Sequence, residues 1–210
     1  MGNVYRRIEI FIEKPSNMKT FITGATGFIG ASIVRELLRD GREVRALVRE
    51  GSDTSNLTGL DIELWKGDLR DSKSLKDGLK GCDVLYHAAA DYRLWTRDPQ
   101  EMYRINVDGT AAILESALEN NLKRVVYTSS VGTLGNPGDG TPGREDMPVG
   151  LSDMVGHYKK SKFLAEREAD KFVARGLPLV IVNPSTPIGP MDIKPTPTGK
   201  IIVDFLNRKM

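Results

Sequence analysis

Two groups of residues in this chain have the types and spacing that chemistry requires. In Tyr158-Lys159-Lys160-Ser161-Lys162 a phenol and an ammonium stand four residues apart, so a helix carries them on one face, one turn apart. A phenol with a pKa of about 10 is a poor base at neutral pH, and a nearby positive charge favours its phenolate. Such a pair can exchange a proton with a hydroxyl or carbonyl oxygen. Alone the pattern says little, because both residue types are ordinary on solvated helices. Its weight comes from its place in the chain, after a fifth predicted strand.

The second group is Thr23-Gly24-Ala25-Thr26-Gly27-Phe28-Ile29-Gly30, between a predicted strand and a predicted helix. Glycines there permit a tight turn, approach of the backbone to a phosphate, and close packing of helix on sheet. The helix N-terminus adds free N–H groups and partial positive charge. Gly24, Thr26, Gly27, Phe28, Ile29 and Gly30 are therefore the candidate pyrophosphate contacts of a dinucleotide. Past the second strand, an acidic side chain would hold a ribose 2′-hydroxyl and an arginine would accommodate a 2′-phosphate. Here the strand ends Leu47-Val48-Arg49-Glu50. Arg49 favours NADP; Glu50, beside it, keeps NAD possible.

These groups need a scaffold that alternates strand and helix. Thr20–Thr23, Glu43–Val48, Ile62–Trp65, Val84–His87, Arg124–Thr128 and Leu179–Val182 have the short apolar runs of strands. Helices are predicted over Phe28–Arg39, ended by Gly41, then Ser72–Leu79, Tyr103–Glu119 and His157–Arg175. A Gly/Pro-rich loop covers Gly132–Pro148, and a short amphipathic helix is expected near Ile201–Leu206. This alternation predicts an α/β fold: a doubly wound parallel sheet of Rossmann type in three layers. Residues 1–17 read as an N-terminal extension with Met18 as the natural start, residues 18–183 as the dinucleotide-binding domain, and residues 184–210 as the beginning of a substrate-binding part.

Composition narrows the partners. The chain has 210 residues, 40% hydrophobic and 28% charged, enough to bury one substantial core. A net charge of +2, with no run of Lys and Arg interleaved with aromatics, argues against nucleic acid. One cysteine, Cys82, and two histidines cannot build a disulfide framework or a Cys/His metal cage. No apolar run approaches the roughly 20 residues of a membrane span. A cytoplasmic enzyme acting on a small molecule is the expectation.

From Lys19 onward the motifs come in an order that resembles the extended short-chain dehydrogenase/reductase family, of NAD-dependent epimerase/dehydratase type. They are the glycine turn, Gly67-Asp68-Leu69, His87-Ala88-Ala89-Ala90, Asn106-Val107-Asp108-Gly109-Thr110, Tyr127-Thr128-Ser129-Ser130, and Tyr158 with Lys162. The resemblance implies that Ser130, rather than Ser129, anchors the reacting oxygen and that Tyr158 is the general acid/base. It implies that Lys162 also holds the nicotinamide ribose, and that Asn106, at the start of its helix, holds a water behind the lysine. Asp68 and Leu69 would lie at the adenine, Ala88, Ala89 and Ala90 along the cofactor, and Asn183, Pro184 and the residues to Ile188 near the nicotinamide. His87 is expected to be a satisfied strand-end histidine. Tyr92 and Trp95 would line a substrate mouth or merely cover the edge of the core.

Ala90-Asp91-Tyr92-Arg93-Leu94-Trp95, Gly156-His157-Tyr158-Lys159 and Asn183-Pro184-Ser185-Thr186-Pro187-Ile188-Gly189-Pro190 are closest to dihydroflavonol-reductase-like and hopanoid-associated sugar epimerase proteins. The implied activity is interconversion of a ketone and a secondary alcohol. Sugar-nucleotide epimerisation by the same residues is the alternative, and a non-catalytic dinucleotide sensor the further one. Family members exceed 300 residues and form paired-helix dimers, so a homodimer is expected. By the same comparison this chain would be a truncated form lacking most of the substrate domain, with apolar surface left near the Pro-rich tail and reduced or no activity.

Overall fold

The computed structural model describes residues 18–93 and 95–209. The extension proposed at 1–17 lies outside the described residues. Six strands form one parallel sheet: β1 (Lys19–Thr23), β2 (Glu43–Val48), β3 (Glu63–Lys66), β4 (Val84–His87), β5 (Arg124–Thr128) and β6 (Leu179–Val182). Their order is β3-β2-β1-β4-β5-β6, which is the doubly wound arrangement the sequence predicts.

Strand alternation divides the core into two clusters. Phe21 packs with Leu85, Val125 and Tyr127, beneath Ile113 and Leu114 of α4 (Gly109–Glu119) and Ala165, Ala169 and Phe172 of α5 (Gly156–Ala174). Ile22, one residue on, points to the opposite face and joins Ala46, Val48 and the Val34 and Leu37 side chains of α1 (Phe28–Arg39). Burial on both faces explains why β1 reads as an unbroken run rather than an alternation. Each fully buried Phe or Leu contributes roughly 1.5–3 kcal/mol of transfer free energy.

Because strand order reverses between β1 and β4, their connections leave in opposite directions and open a crevice at the carboxyl ends. The glycine turn rims one side of it and Ala88–Ala90 the other. Helix α2 (Ser72–Gly78) starts at Asp71, whose carboxylate accepts from the Ser74 N–H at 3.1 Å.

One predicted boundary is wrong in a way that matters. The helix expected from Tyr103 begins instead with α3 (Pro99–Tyr103), capped by Asp98, whose carboxylate accepts from Gln100 N–H at 2.9 Å. It continues into α4 through a π-helical turn, Arg104–Asp108. Proline at the first helical position supplies a preset φ and lacks an N–H that would have no partner there. Asn106 is therefore inside the helix and is not an N-terminal cap. The last helix, α6 (Pro197–Leu206), also starts earlier than predicted, capped by Thr196.

Candidate active site

The glycine turn is shaped by contacts that exclude side chains. Gly24 has φ +75°, and a Cβ there would lie 2.6 Å from Ala89 N; a Cβ on Gly30 would lie 2.0 Å from the Gly24 carbonyl oxygen. Gly27 caps α1 without a side chain, and no acidic residue stands in the helix's first turn. The N–H end of α1 is thus left with neither a side-chain cap nor a competing carboxylate, as an anionic group would require. Thr26, Phe28 and Ile29 are half-buried around it, and the Phe28 ring faces Gly189. On the other side, Ala88 N–H donates to Thr23 O at 3.2 Å and Ala89 N–H to Thr23 Oγ1 at 3.2 Å, which locks the Ala88–Ala90 backbone to the end of β1. This cradle fits a pyrophosphate.

The surroundings of Arg49 are unequally charged. Asp68 is held by its neighbour Arg70, through Nε at 2.8 Å and Nη2 at 2.8 Å, and Asp91 is paired in the same way with Arg93. Both carboxyls lie below their ordinary range. For Asp68 the leading cause is the hydrogen bond from Arg70; for Asp91 burial opposes the shift, while bonds from Arg93 outweigh it. Arg49 lies exposed at the end of β2, close enough to both to lower them further, yet among the described residues it enters no ion pair. Asp68 is also a turn residue, accepting from Arg70 N–H at 2.9 Å. Leu69 buries its side chain in the main core and leaves only backbone for a ligand.

Helix α5 does place Tyr158 and Lys162 on one face. Tyr158 is half-buried; burial raises its phenol above the ordinary value, and the nearby Ser130 hydroxyl pulls the other way. Ser130 is partly accessible, and its Oγ accepts from Gly132 N–H at 3.1 Å. Ser129 is buried, with a hydroxyl that lacks a partner, so Ser130 is the serine presented to the crevice. Lys162 is 2% exposed. Its ammonium donates to Tyr127 Oη at 2.8 Å and to the Thr128 carbonyl at 2.9 Å, and lies 4.5 Å from the Tyr127 ring centre. Burial lowers its pKa to about 7, against the raising effect of Glu166.

Asn106 is buried and does not bond Lys162 directly. Its Oδ1 accepts from Asp91 N–H at 2.7 Å, while Nδ2 donates to Asp91 O at 2.8 Å and to Ser161 Oγ at 2.9 Å. It thereby fastens the backbone after Ala90 to α5. Pro184 accepts from Val131 N–H at 3.1 Å and so holds the end of β6 against the Ser130 turn. Tyr92 and Trp95 are exposed; Trp95 lines a shallow cleft of about 410 Å³ with Arg93, Thr96, Arg97, Asp98 and Glu101.

His87 is fully buried, and its partners fix its proton. Thr110 Oγ1 donates to Asn106 O at 2.6 Å, so at 2.9 Å it must accept from His87 Nε2–H. Nδ1 then accepts from Thr23 Oγ1 at 2.7 Å. Burial holds this imidazole neutral with a pKa of about 3, and it stacks on Tyr127 at 5.3 Å. The residues that sequence reasoning missed are Tyr127 and Thr128 as lysine anchors, and Thr133 and Glu166, which join Asn183 behind Ser130. Only Glu166 carried a signal, lying one further turn along the Tyr158–Lys162 face.

Known proteins resemble this chain over most of its length. The NAD dependent epimerase/dehydratase family matches residues 20–209. A Synechocystis protein named "Putative dihydroflavonol 4-reductase" is 50% identical over 190 residues, covering 90% of this chain and 55% of its own length. Sterol demethylase protein B of Methylococcus capsulatus is 39% identical over 193 residues, 92% of this chain and 58% of that protein. The crystal structure of gox2253 superposes with a TM-score of 0.87 at 48% identity, over 91% of this chain and 58% of that one. This chain therefore spans little more than half the length of these relatives. With a family match over residues 20–209 on a six-stranded doubly wound sheet, the chain belongs to the NAD dependent epimerase/dehydratase family.

Proposed function

We propose that the chain is the cofactor-binding and catalytic portion of an NADP-dependent reductase that interconverts a ketone and a secondary alcohol. The observation that carries this reading is Tyr158, near enough to Ser130 to feel its hydroxyl and one turn from a buried ammonium that is itself clamped by Tyr127 and Thr128. Ser130 would hold the substrate oxygen and Tyr158 would give or take its proton. Lys162 would lower the cost of the phenolate and reach the ribose of the nicotinamide. The cofactor, when bound, supplies or accepts hydride.

Gly24, Thr26, Gly27, Phe28, Ile29 and Gly30 would hold its pyrophosphate, Asp68 and Leu69 its adenine, and Ala88, Ala89, Ala90 and Pro184 its flank. Asn106 would act by fixing the backbone at Asp91. Arg49 supports NADP over NAD, because the neighbouring carboxylates are already neutralised by Arg70 and Arg93. Residues 18–183 would form this domain and 184–210 the start of the substrate part, in a homodimeric cytoplasmic protein.

Sugar-nucleotide epimerisation is the second reading, and the family description favours keeping it. The two separate by experiment. A reductase consumes NADPH in the presence of a ketone and exchanges its cofactor freely; an epimerase retains NAD through purification and shows no net consumption. Loss of ketone-dependent NADPH oxidation in Tyr158→Phe supports the reading, and undiminished oxidation by that variant overturns it.

A further inference from the structure

Behind the pair that handles the proton lies a buried carboxylate with an unusual set of partners. Glu166 is 6% exposed, one turn beyond Lys162 on α5, so Tyr158, Lys162 and Glu166 form a row down one helix face. Its Oε1 accepts from Thr133 Oγ1 at 2.8 Å and from Asn183 Nδ2 at 2.8 Å. The same two donors also face the Ser130 carbonyl, Thr133 Oγ1 at 2.7 Å and Asn183 Nδ2 at 3.1 Å. Thr133 has one hydroxyl proton for two acceptors, and the two protons of the Asn183 amide face both of these and Thr133 Oγ1 at 3.1 Å. The network is complete only with an acceptor at Glu166. It joins three parts that sequence places far apart: the helix with Tyr158, the turn with Ser130, and the end of β6.

A buried charge is costly unless it is paired. The charged and titratable groups around Lys162 are few. From β5 come the Tyr127 hydroxyl and Thr128 carbonyl; from β4, the neutral His87; from α5 itself, Tyr158 and Glu166. The π-helical turn presents the uncharged Asn106, bonded to Ser161. Glu166 is the one carboxylate in this set. Its other charged neighbour is Arg167, whose Nη2 lies 3.8 Å from Oε2 but whose side chain is about half exposed. Among the described residues no cation but Arg167 stands within 4 Å of this carboxylate, so Glu166 acts on Lys162 through space, one turn along the helix face, and not as an ion pair.

We propose that Glu166 is a positioning residue for the Ser130–Tyr158–Lys162 site: it ties the serine turn and Asn183 to the catalytic helix, and its charge keeps Lys162 in the ammonium form that the tyrosine needs. The inference rests on the reading of Tyr158 and Lys162 as the proton-handling pair. Its test does not depend on turnover. The chain is labelled with 13Cε-lysine, and Lys162, assigned by loss of its signal in Lys162→Met, is titrated by NMR without cofactor or substrate. Glu166→Gln keeps an acceptor oxygen for Thr133 and Asn183 and removes the charge. The Lys162 midpoint should fall by about one pH unit in this variant, and should stay within a few tenths of the parent in Glu166→Asp. An unchanged midpoint in Glu166→Gln would overturn the proposal and leave Glu166 as a packing residue.

If Glu166→Gln is too unstable to titrate, the parent, Glu166→Gln, Lys162→Met and the double variant are unfolded by denaturant in a stabilising osmolyte. A loss on Glu166→Gln that shrinks in the Lys162→Met background supports the proposal, and an equal loss in both backgrounds overturns it. Undiminished turnover in Tyr158→Phe would refute the functional reading and leave this titration untouched.

Discussion

The face of α5 that looks at β5 and the apolar residues of β6 and of α6 are alike in sequence, yet they end in opposite environments. Under α5, Phe21, Leu85, Tyr127, Ala165 and Ala169 are fully buried, and the polar atoms of Lys162, His87 and Asn106 all have partners. By contrast Val180 and Val182 of β6 are exposed, and Phe205 and Leu206 of α6 are more than 70% exposed. The same amphipathic pattern therefore predicts where an apolar face lies, and says nothing about whether something covers it. The candidate site lies on the covered side, where low dielectric makes a lysine charge and a tyrosine proton responsive to single neighbours.

The largest expected contrast between the regions is catalytic. Tyr158→Phe should lower ketone reduction by about 10²–10⁴-fold, the usual reach of a general acid, and leave NADPH affinity nearly unchanged. Phe205→Ala should move neither quantity by more than about twofold; a large loss of turnover there would draw α6 into the site. Stability should divide in the same way. Phe21→Ala should cost about 3–5 kcal/mol in denaturant unfolding, and Phe205→Ala within about 0.5 kcal/mol.

Lys162 gives the pH-dependent contrast. Its folded pKa, about 7, is below its ordinary value of 10.5. Between those values the unfolded chain binds a proton that the folded chain does not, so this group makes stability rise with pH across that window. Lys162→Met should accordingly raise the melting temperature at pH 7 and below, with the gain shrinking toward pH 10. A constant difference from pH 6 to pH 10 would contradict the burial described for Lys162. The smallest effect expected concerns the open surface: Phe205→Ser with Leu206→Ser should reduce concentration-dependent association in light scattering without altering the melting temperature by more than a degree or two.

Legibility in the sequence followed the range of the interactions. The glycine turn, the strands and the Tyr158–Lys162 spacing are local, and each is found where the residues predict it. The start of α3 was also local, in Asp98-Pro99, but the apolar period from Tyr103 masked it, and Asn106 was misplaced as a result. The π-helical turn that aims Asn106 at Asp91 and Ser161 has no signature of its own. Tyr127, Thr128 and Thr133 meet α5 only because β5 lies beneath that helix, a register that no sequence window contains. Arg70 follows Asp68 by two residues and carried no signal of its own, since its bidentate hold on that carboxylate depends on a turn that geometry alone reveals.

The central claim is that the glycine cradle and Arg49 hold an NADP cofactor beside the Tyr158 site. It is tested most directly by titrating the chain with NADPH and, separately, NADH, following energy transfer from Trp65 and Trp95. Saturable binding of both, tighter for NADPH by about tenfold and equalised in Arg49→Ala, is the expected result. Binding of neither dinucleotide, or an NADPH preference that survives Arg49→Ala, would contradict it.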